Sequence, residues 1–218
     1  MLRNLFNRGS AEPNRAGATT LTGPRTPRHS SGWTALLKYL QERSNLRVLD
    51  IGPTSSQSIN LLTGLGHSVY MADVVHESLN SSWILPPIEE GGEPRFDAPR
   101  FFEQNLKFGN REFDVVLLWS TLDYVPEGLV QPLTEHLRDS VLRGGMILAT
   151  FHAKKTGPNT SFCRYHLTKG NEVEMQQAEP HPVQRVFTNR NIEKLFAEYS
   201  NYRFFLAKDN LYEVLLTR

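Results

Sequence analysis

The chain has a single cysteine, Cys163. That excludes an internal disulfide framework, leaves no cysteine cluster to hold a metal, and fits a reducing, cytoplasmic compartment. No apolar run approaches the roughly 20 residues needed to cross a bilayer as a helix. The start also lacks the continuous apolar core of a secretory signal, because Leu2, Leu5 and Phe6 give way at once to polar residues, proline and glycine. Charge of one sign is missing too. Twenty-four Lys and Arg against 23 Asp and Glu leave a formal net charge of +1, which argues against a generally basic nucleic-acid binder. Internal repeats are not apparent. At 218 residues the chain suffices for one α/β domain with a real core and is short for two.

The near-zero balance hides an asymmetry. Residues 1–31 carry Arg3, Arg8, Arg15, Arg25 and Arg28 against one acid, Glu12, and the remainder is slightly acidic. Rich in Arg, Ser, Thr, Pro and Gly, this stretch reads as a disordered basic tail. It is either simply solvated or a contact for nucleic acid, anionic lipid or a partner. An Arg-rich, acid-poor start is also a feature of organelle transit peptides, but Pro13, Gly17, Gly23, Pro24 and Pro27 disrupt a long amphipathic helix. The globular domain is expected over 32–218.

Within it, apolar periodicity predicts a helix over 32–43, from Trp33, Leu36, Leu37 and Leu40, with Ser30 or Ser31 as cap. A strand over 46–51 ends in Asp50-Ile51-Gly52, a helix follows over 56–62, and a strand over 68–72 closes on Asp73. Residues 74–100, with Pro86-Pro87 and Gly91-Gly92, are expected to hold a short helix and a loop. A third strand is expected over 100–102. The run 114–119 (DVVLLW) is typical of a parallel strand buried on both faces. A helix over 129–141 and a strand over 146–151 come next. The end reads as a helix over 189–199 and strands over 202–207 and 211–217. Lys208-Asp209-Asn210 is too short for the crossover that parallel strands require, so these last two strands form an antiparallel hairpin.

At these residues the chain resembles the class I, Rossmann-like, S-adenosylmethionine-dependent methyltransferases. The resemblance spans 46–218 and rests on Val48-Leu49-Asp50-Ile51-Gly52, on Asp73, on Phe113-Asp114-Val115-Val116 leading to Leu122-Asp123-Tyr124-Val125, and on Leu142-Arg143-Gly144-Gly145-Met146-Ile147-Leu148. It implies a doubly wound, seven-stranded α/β sheet in the order 3-2-1-4-5-7-6, with the last strand antiparallel. S-Adenosylmethionine is the implied cofactor.

Asp50-Ile51-Gly52 lies where the first strand leaves the sheet, at the edge where open α/β sheets bind ligands. Gly52 allows close backbone approach, and the next helix offers N–H groups to a carboxylate. Asp73 is placed to accept both ribose hydroxyls, with Val74 beside it. The family's Gly-x-Gly-x-Gly reads here Gly52-Pro53-Thr54-Ser55-Ser56. Either the hydroxyls of Thr54, Ser55 and Ser56 bind the carboxylate directly, or the site is degraded and the chain is an inactive cofactor-sensing or partner-binding module. Asn105 and Leu106 are expected beside the adenine, and Trp119 and Ser120 on the pocket floor. Asp123, Tyr124 and His152 are the candidates for chemistry at the substrate side.

Methyl transfer needs collinear positioning and a base only for a weakly acidic acceptor, so the lack of an obvious catalytic dyad is no objection. Residues 153–182 are the expected acceptor-binding lid, over a broad mouth. His152, His166 and His181 do not fall at metal-ligand spacings, and no metal is expected. An NAD-dependent oxidoreductase shares the acid after the second strand but needs Gly-x-Gly-x-x-Gly, which is absent. The acceptor is expected to be a small molecule.

Overall fold

The computed structural model describes residues 23–157, 160–207 and 209–218. The chain runs β1 (Arg25–His29), α1 (Ser31–Gln41), β2 (Arg47–Ile51), α2 (Ser56–Gly64), β3 (Ser68–Ala72), α3 (Val74–Ser78), β4 (Ile84–Leu85), β5 (Arg95–Phe96) and α4 (Ala98–Asn105). It continues with β6 (Phe113–Trp119), α5 (Thr121–Tyr124), α6 (Glu127–Ser140), β7 (Val141–His152), β8 (Cys163–Leu167), β9 (Glu172–Gln177), α7 (Asn189–Leu195), β10 (Asn201–Phe205) and β11 (Leu211–Thr217).

The apolar run of β6 cannot face water on either side, and it lies inside a six-stranded sheet ordered β3-β2-β6-β7-β11-β10. Strands β3, β2, β6 and β7 pair in parallel, while β11 runs against both β7 and β10. The terminal hairpin inferred from its short connection is thus present. Alternate residues of β6 enter two cores. Val116 and Leu118 join Leu129, Leu133 and Phe151 on one face, and Val115 and Leu117 join Trp33, Leu36 and Leu40 on the other. Ser30 caps α1, accepting from the N–H of Trp33.

Two expectations are corrected. The third strand over 100–102 is absent, and six strands rather than seven make the main sheet among the described residues. Asp97 caps a helix there, Pro99 stands in its first turn, and Ala98 and Phe101 turn one face inward. Second, the basic tail does not extend to residue 31. β1 pairs with β9, and Arg28 is 7% exposed, bound to the Glu213 carboxylate, to Asp209 (2.6 Å) and to the Leu211 carbonyl (3.1 Å). Glu213, 2% exposed on β11, requires that counter-charge. The rest of the tail, residues 1–22, lies outside the described residues. The segment expected as a lid contains β8 and β9, which with β1 form a separate antiparallel sheet ordered β1-β9-β8. Its inward residues Tyr165, Leu167, Val173 and Met175 pack into the core that holds α1.

Candidate functional site

The parallel strands β2, β3, β6 and β7 end on one edge of the sheet, and nearly all the residues singled out from the sequence sit there. Asp50, in β2, is 1% exposed. One carboxylate oxygen, Oδ1, accepts from Trp119 Nε1 at 2.8 Å. Burial pushes the Asp50 carboxyl up to about 6, outweighing hydrogen bonds from Trp119 and Thr54, and the charge of Asp73 adds to the rise. It is a buried acid short of a cation. Gly52 extends the β2–β3 ladder, its N–H donating to the Ala72 carbonyl at 2.8 Å. Its φ of +144° is a glycine conformation, and a Cβ there would meet Trp119 at 3.5 Å.

Trp119 ends β6 with φ +45°, unusual for a bulky side chain. Its ring is pinned by Asp50 and by parallel stacking on Tyr165, with centroids 4.3 Å apart and planes 3° apart. Ser120 Oγ lies 2.7 Å from Thr150 Oγ1 and 3.1 Å from the Tyr165 hydroxyl, and burial pushes that hydroxyl up to about 12. Trp119 and Ser120 therefore form a fixed wall, whose outer layer is a strand within the segment expected to be a lid.

The hydroxyl-rich turn divides its tasks. Ser55 caps α2, accepting from the N–H of Ser58, and its Oγ lies 2.9 Å from Ser58 Oγ. Ser58 Oγ in turn donates to the Tyr165 carbonyl (3.2 Å) and accepts from the Leu167 N–H (3.1 Å), tying β8 to α2. Thr54 turns inward toward Asp50 and the Gly52 carbonyl, Pro53 is half-buried, and Ser56 is exposed. What α2 presents to an anion is its backbone, since the N–H groups of Ser56 and Gln57 fall in the first turn and have no acceptor within the helix.

Asp73 follows β3 and is exposed, with Val74 buried behind it. His76 and His181 act on its charge from α3 and from the segment after β9. Asn105 and Leu106 are not at a strand end. Asn105 Nδ2 donates to the Phe101 carbonyl within α4 (3.1 Å), and buried Leu106 accepts from His136 Nε2 of α6 (3.1 Å). Both fall inside helix packing because the strand expected before them is a helix. The acid that does close a strand in this region is Asp97, after β5, and sequence reading overlooked it. Phe96 beside it packs against Gly128 in the first turn of α6.

Asp123 and His152 form a buried pair, 0% and 1% exposed. Asp123 Oδ2 accepts from His152 Nδ1 (2.7 Å) and from the His152 backbone N–H (2.8 Å). Burial raises the Asp123 carboxyl above the usual range, against the pull of His152. Tyr124 Oη lies 3.5 Å from His152 Nε2 and donates to the Thr160 carbonyl (3.1 Å). Edge-to-face contacts continue from Tyr124 to Phe162 (5.0 Å) and from Phe162 to His181 (5.1 Å). Residues 160–181 therefore reach across the strand ends from β7 toward α3.

No protein-family profile matches the chain, and no curated protein does. Solved structures do match. A SAM-dependent methyltransferase from Methanosarcina mazei aligns at 16% identity and a TM-score of 0.48, over 81% of this chain and 93% of that one. The 1,6-didemethyltoxoflavin N1-methyltransferase of Burkholderia thailandensis, solved with 1,6-didemethyltoxoflavin and S-adenosylhomocysteine, aligns at 12% and 0.42, over 86% and 77%. A candidate O-methyltransferase from Nostoc punctiforme aligns at 14% and 0.46 over 87% of this chain, which spans only 56% of that one. Each of these is a likeness of fold alone. At such identities and scores the chemistry rests on this chain's own residues.

Those residues fit an adenosyl amino acid. Asp50 offers a buried, under-compensated carboxylate to a cationic group, α2 offers backbone N–H groups to an anionic one, and Asp73 offers acceptors to vicinal hydroxyls.

Proposed function

We propose that the chain is an S-adenosylmethionine-dependent methyltransferase acting on a small-molecule acceptor. The carrying observation is the juxtaposition of buried Asp50, Gly52 and Asp73 at one sheet edge, with the first turn of α2 following. Gly52, Pro53, Thr54 and the N–H groups of Ser56 and Gln57 would hold the amino-acid end of the cofactor. Asp73 and Val74 would hold its ribose, and Trp119 and Ser120 would wall the reacting end. When bound, the cofactor supplies an electrophilic methyl group.

The chain's own contribution is positioning and proton handling. Asp123 orients the His152 ring through Nδ1, which directs Nε2 toward Tyr124 as the atom that takes a proton from a weakly acidic acceptor. Phe162 and His181 exclude water from above. No helix among the described residues is long and apolar enough to cross a membrane.

Calorimetric titration of the full chain with S-adenosylmethionine and S-adenosylhomocysteine tests this. Both are expected to bind, and Asp73→Ala is expected to abolish binding. Absence of heat with either ligand would overturn the proposal. A tritium-methyl transfer screen over metabolite pools then identifies the acceptor class.

A further inference from the structure

Three donor atoms from distant parts of the sequence meet at the outer rim of the edge described above. His76, on α3, places Nδ1 3.2 Å from Glu179 Oε2, and His181 Nε2 lies 4.0 Å from the same oxygen. The donor atoms of all three residues lie within 4.8 Å of one another. Spacing along the chain gives no sign of this set, because the fold brings His181 to His76 and not to His152 or His166.

A second observation points to a missing ligand. His181 Nε2 is a buried atom with no hydrogen-bond partner, since 4.0 Å is too long for one. The ring is held in place by the edge-to-face contact with Phe162, and its side chain is 13% exposed. His76 and Glu179 are 65% and 45% exposed, which gives an ion a path from solvent.

We propose that His76, His181 and Glu179 bind a divalent transition-metal ion, with zinc the best match. Two imidazoles and one carboxylate suit zinc, whereas magnesium and calcium select all-oxygen sets. With zinc–ligand bonds of about 2.0–2.2 Å, tetrahedral donors stand about 3.4 Å apart. The 3.2 Å separation already matches that spacing, and the 4.0 Å one closes by a small side-chain rotation. Three protein ligands leave a fourth position for water or an acceptor atom. The bound ion ties α3 to the segment after β9, next to Asp73, and so fixes the rim of the crevice.

The test uses the full chain, stripped with chelator and titrated with zinc chloride by calorimetry, with cobalt(II) absorption spectra in parallel. One zinc ion per chain and visible cobalt bands of low-symmetry, four-coordinate type are expected. His76→Ala and His181→Ala should each weaken zinc binding by roughly tenfold or more, while exposed His29→Ala leaves it unchanged. Melting curves in chelator show that each variant folds. No zinc binding, or binding that survives both substitutions, would reduce the trio to a surface ion pair. The measurement needs no methyl donor, so its failure leaves the methyltransferase proposal standing.

Discussion

At the scale of single residues, Asp50 carries the most consequence. Unfolded, its carboxyl ionises near 3.8, whereas burial moves it to about 6 in the fold. Between those values the native state keeps a proton that the unfolded chain has released. Stability therefore falls as pH rises from about 4 to about 6, and above that the full cost of burying the ionised acid applies. Asp50→Asn keeps an acceptor for Trp119 Nε1 and removes the charge. Thermal melts are expected to show the variant more stable at pH 7, by on the order of 2–3 kcal/mol, and without advantage at pH 4. Equal melting temperatures at pH 7 would show that Asp50 is not held as described. Asp50, Gly52, Asp73 and Trp119 were legible in the sequence because a strand end is a local feature. The Trp119 contacts to Asp50 and Tyr165 were not, since they join three separate strands.

At the scale of elements, the tie between α2 and β8 decides how the site is built. Of the hydroxyls that read as an anion cradle, Ser55 works as a helix cap, and Ser58, two residues past the expected cluster, anchors a strand by bonding both Tyr165 and Leu167. Ser58→Ala leaves those buried backbone groups with one partner fewer and is expected to cost about 1–3 kcal/mol. Hydrogen exchange at the Leu167 amide should quicken beyond what the global loss explains. Unchanged protection there would contradict the tie. The third strand failed at this scale for a local reason, since Phe101 and Phe102 suggest a strand while Asp97 and Pro99 begin a helix. The strands within residues 153–182 went unread for the opposite reason. They alternate poorly, and only pairing with β1 and packing on α2 make them a sheet.

At the scale of the whole molecule, the buried Arg28 joins the first described strand to the last. It neutralises Glu213 and Asp209, and Glu213 also accepts from the Gly32 N–H at 2.6 Å, so β1, α1 and β11 share one charge network. Removing residues 1–29 takes away β1 and strands Glu213 without its cation. A buried pair broken on one side costs about 3–5 kcal/mol, so the truncated chain should melt well below the full one. Coincident melting curves would return Arg28 to the status of a solvated tail residue.

Periodicity and turn chemistry, which act over a few residues, determined the buried central strand, the flanking helices, the terminal hairpin and the residues that stand at the strand ends. Tertiary structure alone decided that a tail arginine is buried, that the segment expected as a lid carries a sheet, and that His76 meets His181. Each of those depends on which distant group supplies a charge, a hydrogen bond or an apolar face, and no local pattern along the chain records that partner.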